Sequence, residues 1–199
     1  MYQLYGMTGS GNCYKPALLM TQLDLPYRWQ EVDLLKGESR TPAFLALNPN
    51  GKVPLLVLPD GRALAESNAM LCYLAEGTPL LPDDRYARAH VLQWLFFEQY
   101  SHEPYIATVR FWIKFLGKKD EWAEKIADAR KKGLAALSVM ERQLAQSPFL
   151  AGDAYTVADI ALYAYTHVAE DGGYRLADFP AIQAWIRRIE SQPRFIPMT

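Results

Sequence analysis

Cysteine and histidine are scarce in this chain, with two and three among its 199 residues. Cys13 and Cys72 lie far apart and form no C-x-x-C pair, and His90, His102 and His167 are isolated, so no metal-ligand spacing is present. The expectation is two reduced thiols and no metal site. An excess of one charge is also missing. Lysine plus arginine (21) nearly balance aspartate plus glutamate (22), leaving a net charge of -1 at pH 7. No basic block is present to recruit nucleic acid or anionic lipid. No apolar run approaches the roughly 20 residues of a membrane span, and no basic, apolar leader precedes the strand-like stretch at residues 2–5. A cytoplasmic protein without nucleic-acid or membrane partners is expected. Repeats and low-complexity tracts are lacking too. What the chain does have is apolar material: half its residues are hydrophobic, enough for a sizeable core in one large or two small domains.

Periodicity and turn residues divide the chain. Residues 2–5 read as a strand, and Gly9-Ser10-Gly11-Asn12 as a turn opening a helix that carries Leu18, Leu19, Met20 and Leu23 at helical spacing. Pro16 fits that helix only in its first turn, which places the start near Asn12 or Cys13. A second strand covers 27–34. A short helix follows at 43–47, with Thr41 as N-cap and Pro42 at its first position. Strands at 55–58 and 62–65 flank an Asp60-Gly61 turn, and a helix covers 67–76. The order is βαβαββα. Prolines and glycine at 77–84 then mark a linker. After it only helical patterns appear, at about 85–116, 121–146, 157–169 and 181–192. The predicted organisation is an α/β domain at 1–78, a linker at 79–84 and an all-helical domain at 85–199. Thr156 and Asp159 form a capping box, with Tyr155 and Ile160 as its hydrophobic staple, and this is a folding element.

Two features suggest a ligand. The Val53-Pro54 bond, entering a strand after Gly51 and Lys52, is a candidate cis peptide that would turn the Val53 backbone outward as an unpaired strand edge. Glu66-Ser67 puts a carboxylate and a hydroxyl at a helix start, among free N–H groups that favour anions. Together they describe a socket for a small charged peptide: Val53 pairs with its backbone, Ser67 takes its carboxylate and Glu66 its amine. Ser10 and Asn12 sit at another helix start, where a dipole and polar donors would stabilise a bound thiolate. Lowering a free thiol from about 8.5 by roughly two units takes about 2.7 kcal/mol, which two or three charge-assisted hydrogen bonds and a dipole can supply. The same two residues also fit a plain turn and cap. Cys13 reads as an inert packed thiol or, less simply, as a nucleophile at a helix start, and Cys72 as core. Lys36 and Lys52 are loop cations, either solvated or paired with an anion. Tyr105, Arg110 and Trp112 belong to an aromatic stretch that forms helix core or lines an apolar pocket facing the first domain.

In order and spacing these residues resemble the cytosolic glutathione transferase family, especially its bacterial, serine-type, theta- and nu-like members. The resemblance covers essentially the whole chain. It rests on Leu4-Tyr5 with the Ser10-Gly11-Asn12 turn, Leu25-Pro26-Tyr27, Asn48-Pro49-Asn50-Gly51-Lys52-Val53-Pro54, Glu66-Ser67 with the apolar helix after it, and the stretch from Gly152 to Asp159. It implies a thioredoxin-like first domain, an all-helical second domain, a homodimer and glutathione as cosubstrate, with no metal. By the resemblance Ser10 and Asn12 stabilise the thiolate, and Lys36, Lys52, Val53, Pro54, Glu66 and Ser67 hold glutathione. Tyr105, Arg110 and Trp112 line the second-substrate pocket for a small hydrophobic electrophile. The chain departs from the family's pattern after its second strand, where Ser39 and Arg40 stand in place of a His or Gln. Tyr5 lies in a strand and is not the catalytic tyrosine of other classes, and no cysteine occupies the Ser10 position. The activity implied is conjugation of the glutathione thiolate to electrophiles in detoxification. Glutathione-dependent peroxide or disulfide reduction, or a non-enzymatic interaction role on the same scaffold, are the alternatives.

Overall fold

The computed structural model describes residues 1–199. The chain divides into two compact units, Met1–Glu76 with Pro193–Thr199, and Gly77–Gln192. The last seven residues therefore belong with the first unit, where the sequence reading had continued the second domain to its end.

In the first unit β1 (Tyr2–Gly6), β2 (Tyr27–Glu31), β3 (Leu55–Val57) and β4 (Ala63–Ala65) form one mixed sheet in the order β2-β1-β3-β4. β1 runs parallel to β2 and antiparallel to β3, with Leu4 opposite both Trp29 and Leu56. Successive side chains point to opposite faces, so the β1/β3 pairs Leu4–Leu56 and Tyr5–Leu55 face opposite ways. Tyr5 and Leu55 pack with Val32 and with Phe44 of α2 (Pro42–Leu47), the Tyr5 and Phe44 rings meeting edge-on at 6.2 Å. The other face carries α1 (Gly11–Gln22), in contact with α3 (Ser67–Ala75). α1 passes close to Gly6: a Cβ there would lie 2.9 Å from Cys13 Cβ and 2.4 Å from the Trp29 ring. This is the thioredoxin-like arrangement that the family resemblance implied.

Two local expectations need correction. α1 begins at Gly11, not at Asn12 or Cys13, because Ser10 is its cap; Ser10 Oγ accepts from the Cys13 amide at 3.4 Å. Pro16 is consequently the sixth helical residue, outside the first turn. β2 ends at Glu31, three residues early, because Asp33 folds the chain back by accepting from the Leu35 and Lys36 amides.

The second unit is helical: α4 (Arg85–Phe97), α5 (Glu103–Arg110), α6 (Ala123–Leu144), α7 (Val157–Thr166) and α8 (Pro180–Glu190). The helix expected over 85–116 is there, interrupted by π-helical turns at Glu98–His102 and Phe111–Phe115. Pro104, at the start of α5, has no N–H to return to the preceding turn, and a wider turn accommodates its ring. α7 is buried along its whole length. Its capping box is formed, and Asp159 also accepts from the Leu150 amide and the Trp185 indole, both at 2.9 Å. Glu141 on α6 accepts from the Ala181 and Ile182 amides at 2.9 Å, so a carboxylate meets the positive end of α8. No helix is long and apolar enough to cross a membrane.

Candidate functional site

Two helix starts meet in the first unit. At α1 the partly buried Ser10 and Asn12 precede a wholly buried run, Cys13 to Met20. At α3 the exposed Glu66 precedes buried Ser67. They are joined directly: Ser67 Oγ donates to Asn12 Oδ1 at 3.3 Å. Lys15 lies beneath this junction. It is fully buried, and its Nζ is 2.8 Å from Asn12 Oδ1 and 3.4 Å from Ser67 Oγ. A fully buried lysine is rare. Its charge looks like one more polar letter on an apolar helix, so the sequence reading passed it over. The only signal was its position in an otherwise apolar run.

Glu66 caps α3 with φ 69° and ψ 112° and makes no side-chain capping bond. A non-glycine residue at positive φ costs about 1–3 kcal/mol and is found where surrounding structure enforces it. Here the enforcing elements are the end of β4 and the start of α3, and the Glu66 carboxylate stays exposed at the junction.

The Val53-Pro54 bond is cis, as the sequence suggested, and β3 begins at the next residue. The loop before it is organised by Asn48, a role the sequence reading missed. The buried Asn48 side chain donates to the Lys52 carbonyl at 2.8 Å and accepts from the Asn50 amide at 3.1 Å. An Asx-type turn at Asn48-Pro49 was the available signal. The Lys52 side chain is exposed. Lys36 is exposed and ion-paired to Asp33 at 3.0 Å. Of the residues that replace the family's His or Gln, Ser39 is buried and Arg40 donates to the Asn50 carbonyl at 3.2 Å.

The turn between β1 and α1 is fastened on its other side by Glu31. Its carboxylate accepts from the Thr8 amide at 2.8 Å, the Thr8 hydroxyl at 2.9 Å and the Trp29 indole at 2.7 Å. Partial desolvation pushes the Glu31 carboxyl up, but these bonds outweigh it and hold it below the usual range. The C-terminal segment returns here: Tyr14 Oη donates to the Ile196 carbonyl at 2.6 Å, and the Gly9 amide donates to Thr199 at 2.7 Å. A cavity of about 280 Å³ lies between turn and tail, with Met7, Ser10, Tyr27, Trp29 and Met198 among its walls.

Cys13 is chemically quiet. Burial pushes its thiol up to about 11, against hydrogen bonds involving Ser10 and Met7, so almost no thiolate exists at neutral pH. Cys72 is half-buried rather than core. In the second unit, Arg110 is 4 % exposed and its Nε donates to Asp171 at 2.9 Å. Its charge meets a partner within that unit. Tyr105 and Trp112 pack against Val109, Ile126 and Ala129, and Lys125 lies over the Trp112 ring at 4.1 Å.

The sequence matches the glutathione S-transferase N-terminal domain over residues 9–76 and the glutathione S-transferase C-terminal domain over residues 91–193. The chain belongs to the glutathione S-transferase family. Among solved members, a glutathione S-transferase from Pseudomonas fluorescens is 54% identical and superimposes with a TM-score of 0.97, covering 99% of this chain and 98% of that one. A glutathione transferase from Burkholderia graminis, solved with two glutathione molecules bound per subunit, is 30% identical with a TM-score of 0.84, over 97% of this chain and 85% of its own. The disulfide-bond oxidoreductase YfcG of Escherichia coli is 33% identical over 189 residues, 92% of this chain and 87% of the relative. In this transferase chain the paired helix starts, the cis Val53-Pro54 bond and the strained Glu66 all fall within the N-terminal family domain.

Proposed function

We propose that this protein is a glutathione transferase whose thiolate-stabilising groups are Ser10 and Asn12. The observation that carries the reading is the hydrogen-bonded junction of two helix starts, Asn12 of α1 to Ser67 of α3. Glutathione is an anionic peptide with a thiol in its middle. Helix starts favour anions, and two of them, side by side, suit its γ-glutamyl carboxylate and its sulfur. Val53 pairs with the cysteinyl backbone, Pro54 holds that edge, Glu66 takes the γ-glutamyl amine and Ser67 takes the carboxylate through its backbone N–H, its hydroxyl proton being given to Asn12. Lys52, and at longer reach Lys36, face the glycyl end.

The Ser10 hydroxyl accepts from the Cys13 amide and still has its own proton to donate. A thiolate beside it gains that bond and the α1 dipole, and the thiol proton leaves to solvent. The thiolate then attacks the electrophilic carbon; with an aryl halide the C–S bond forms, the carbon–halogen bond breaks and halide leaves to solvent. Most of the acceleration is ionisation and proximity. The cavity beside Ser10, with its mixed polar and apolar walls, has room for a small electrophile. A homodimeric, cytoplasmic, detoxifying enzyme is the setting this reading supports.

Glutathione-dependent disulfide or peroxide reduction is the second reading, favoured by the 33% identity to an enzyme named disulfide-bond oxidoreductase. Calorimetric titration with glutathione, followed by parallel assays on an aryl halide, a hydroperoxide and a mixed disulfide, separates the possibilities. Conjugation should dominate. Binding with turnover of only the disulfide moves the assignment to reduction, and absence of binding moves it to an interaction protein.

A further inference from the structure

We infer that Lys15 is a positioning residue that fixes which end of the Asn12 side chain can donate to a ligand's sulfur. This deepens the proposed glutathione site and rests on that reading. The contacts form a closed triangle. Lys15 Nζ donates to Asn12 Oδ1 at 2.8 Å and to Ser67 Oγ at 3.4 Å, and Ser67 Oγ donates to Asn12 Oδ1 at 3.3 Å. The lysine is fully buried, while Asn12 is only partly so.

The reasoning is one of donor and acceptor polarity. An ammonium has three donors and no acceptor, and a carboxamide has an accepting end and a donating end of nearly the same size. Taken alone, Asn12 has two orientations of similar shape. Facing Lys15 it has one, because only Oδ1 can meet an N–H donor. The serine hydroxyl agrees: it accepts from Lys15, so its own proton goes to Asn12 Oδ1. Nδ2 is then at the opposite end of the amide. A thiolate only accepts, so it is attracted by that end and repelled by the other. Lys15 thus makes Asn12 a donor at the sulfur end of the ligand. Through the same nitrogen it touches Ser67 at the γ-glutamyl end.

The test is the ultraviolet titration of the thiol of glutathione bound to the full-length protein. Lys15→Met keeps an unbranched chain one atom shorter and removes the donor. Lys15→Gln keeps a donor and removes the charge. Asn12→Asp keeps an acceptor for Lys15 and cannot donate to sulfur. The expected result is a bound-thiol pKa about one unit higher in Lys15→Met, a tenfold loss of acidity, with only part of that loss restored in Lys15→Gln, whose own amide can turn and so no longer fixes Asn12. Asn12→Asp should raise the pKa too, and adding Lys15→Met to it should raise it no further, since both act through one amide. A purely structural lysine would lower melting temperature and affinity without moving the thiol pKa. Wild-type titration in Lys15→Met, or simple addition in the double variant, overturns the role. If Lys15→Met does not fold, Lys15→Gln combined with Asn12→Asp decides the same way: simple addition of their effects overturns the role, and less than addition supports it. A wild-type protein that binds glutathione without acidifying it overturns the thiolate reading of the site instead.

Discussion

The start of α7 and the starts of α1 and α3 solve the same problem differently. Each helix begins with amides that lack intrahelical partners. At α7 the solution is closed: Thr156 and Asp159 are 4 % and 0 % exposed, the capping box is complete, and the second carboxylate oxygen takes the Leu150 amide and the Trp185 indole. Nothing is left there for a ligand. At α1 the single capping bond from Ser10 is long, 3.4 Å, and the cap is partly exposed. At α3 the cap residue makes no side-chain bond at all and sits at positive φ. A helix start saturated by its own chain holds the fold together; one left under-saturated beside another can hold an anion.

The comparison breaks most visibly at Asp159. Asp159→Ala leaves the Leu150 and Thr156 amides and the Trp185 indole buried without their acceptor. The loss should be on the order of 4 kcal/mol by denaturant unfolding, with glutathione affinity of the folded fraction unchanged. A loss under about 1 kcal/mol would mean the α7 box is not the closed unit described. The same residue governs a pH window. Burial pushes its carboxyl up to about 6, above the ordinary 3.8. A folded value above the unfolded one means the folded chain keeps the proton longer. The group therefore contributes stability fully below about pH 4 and loses it as pH rises to about 6, some 3 kcal/mol over that span. Subtracting the stability-versus-pH curve of Asp159→Asn from that of wild type should expose this slope; parallel curves between pH 4 and 6 would remove it.

Ser10→Ala probes the open counterpart. As a cap its loss should cost about 1 kcal/mol of stability. As a ligand donor its loss should also raise the pKa of bound glutathione by about one unit or more. A stability change with an unaltered thiol titration would place Ser10 with Thr156, as a cap and nothing else.

Which of these starts is closed was only half legible in the sequence. The strand and helix order, the Thr41 and Thr156 caps and the cis Val53-Pro54 bond follow from periodicity and from residues adjacent in the chain. Asn12 and Ser67 were both singled out, but their direct bond spans 55 residues of sequence and belongs to packing. Lys15 was invisible for the same reason, since burial of a charge is decided by what surrounds it. The return of Pro193–Thr199 to the first unit is likewise a tertiary fact, carried by Tyr14, Gly9 and an Asp24–Arg194 pair at 2.8 Å. Arg110 gave no sign of its partner either, since Asp171 is 61 residues away.

The smallest expected effect is the most discriminating. Glu66 is the one residue at these helix starts that is both strained and exposed. Glycine tolerates φ near 69° without a Cβ penalty. If Glu66 were only a structural link between β4 and α3, Glu66→Gly should relieve strain and stabilise the chain, offset in part by greater freedom of the unfolded state. The net gain should be about 0.5–1 kcal/mol, or about 1–4 °C in melting temperature for a chain of this size. If Glu66 holds the amine of glutathione, the same variant should bind glutathione roughly tenfold more weakly, the order expected for one exposed charge-assisted hydrogen bond. Only a site selected for its ligand yields both signs at once. A variant that is less stable and binds as before would show that the strained conformation serves the fold, which would make α3 a closed start like α7.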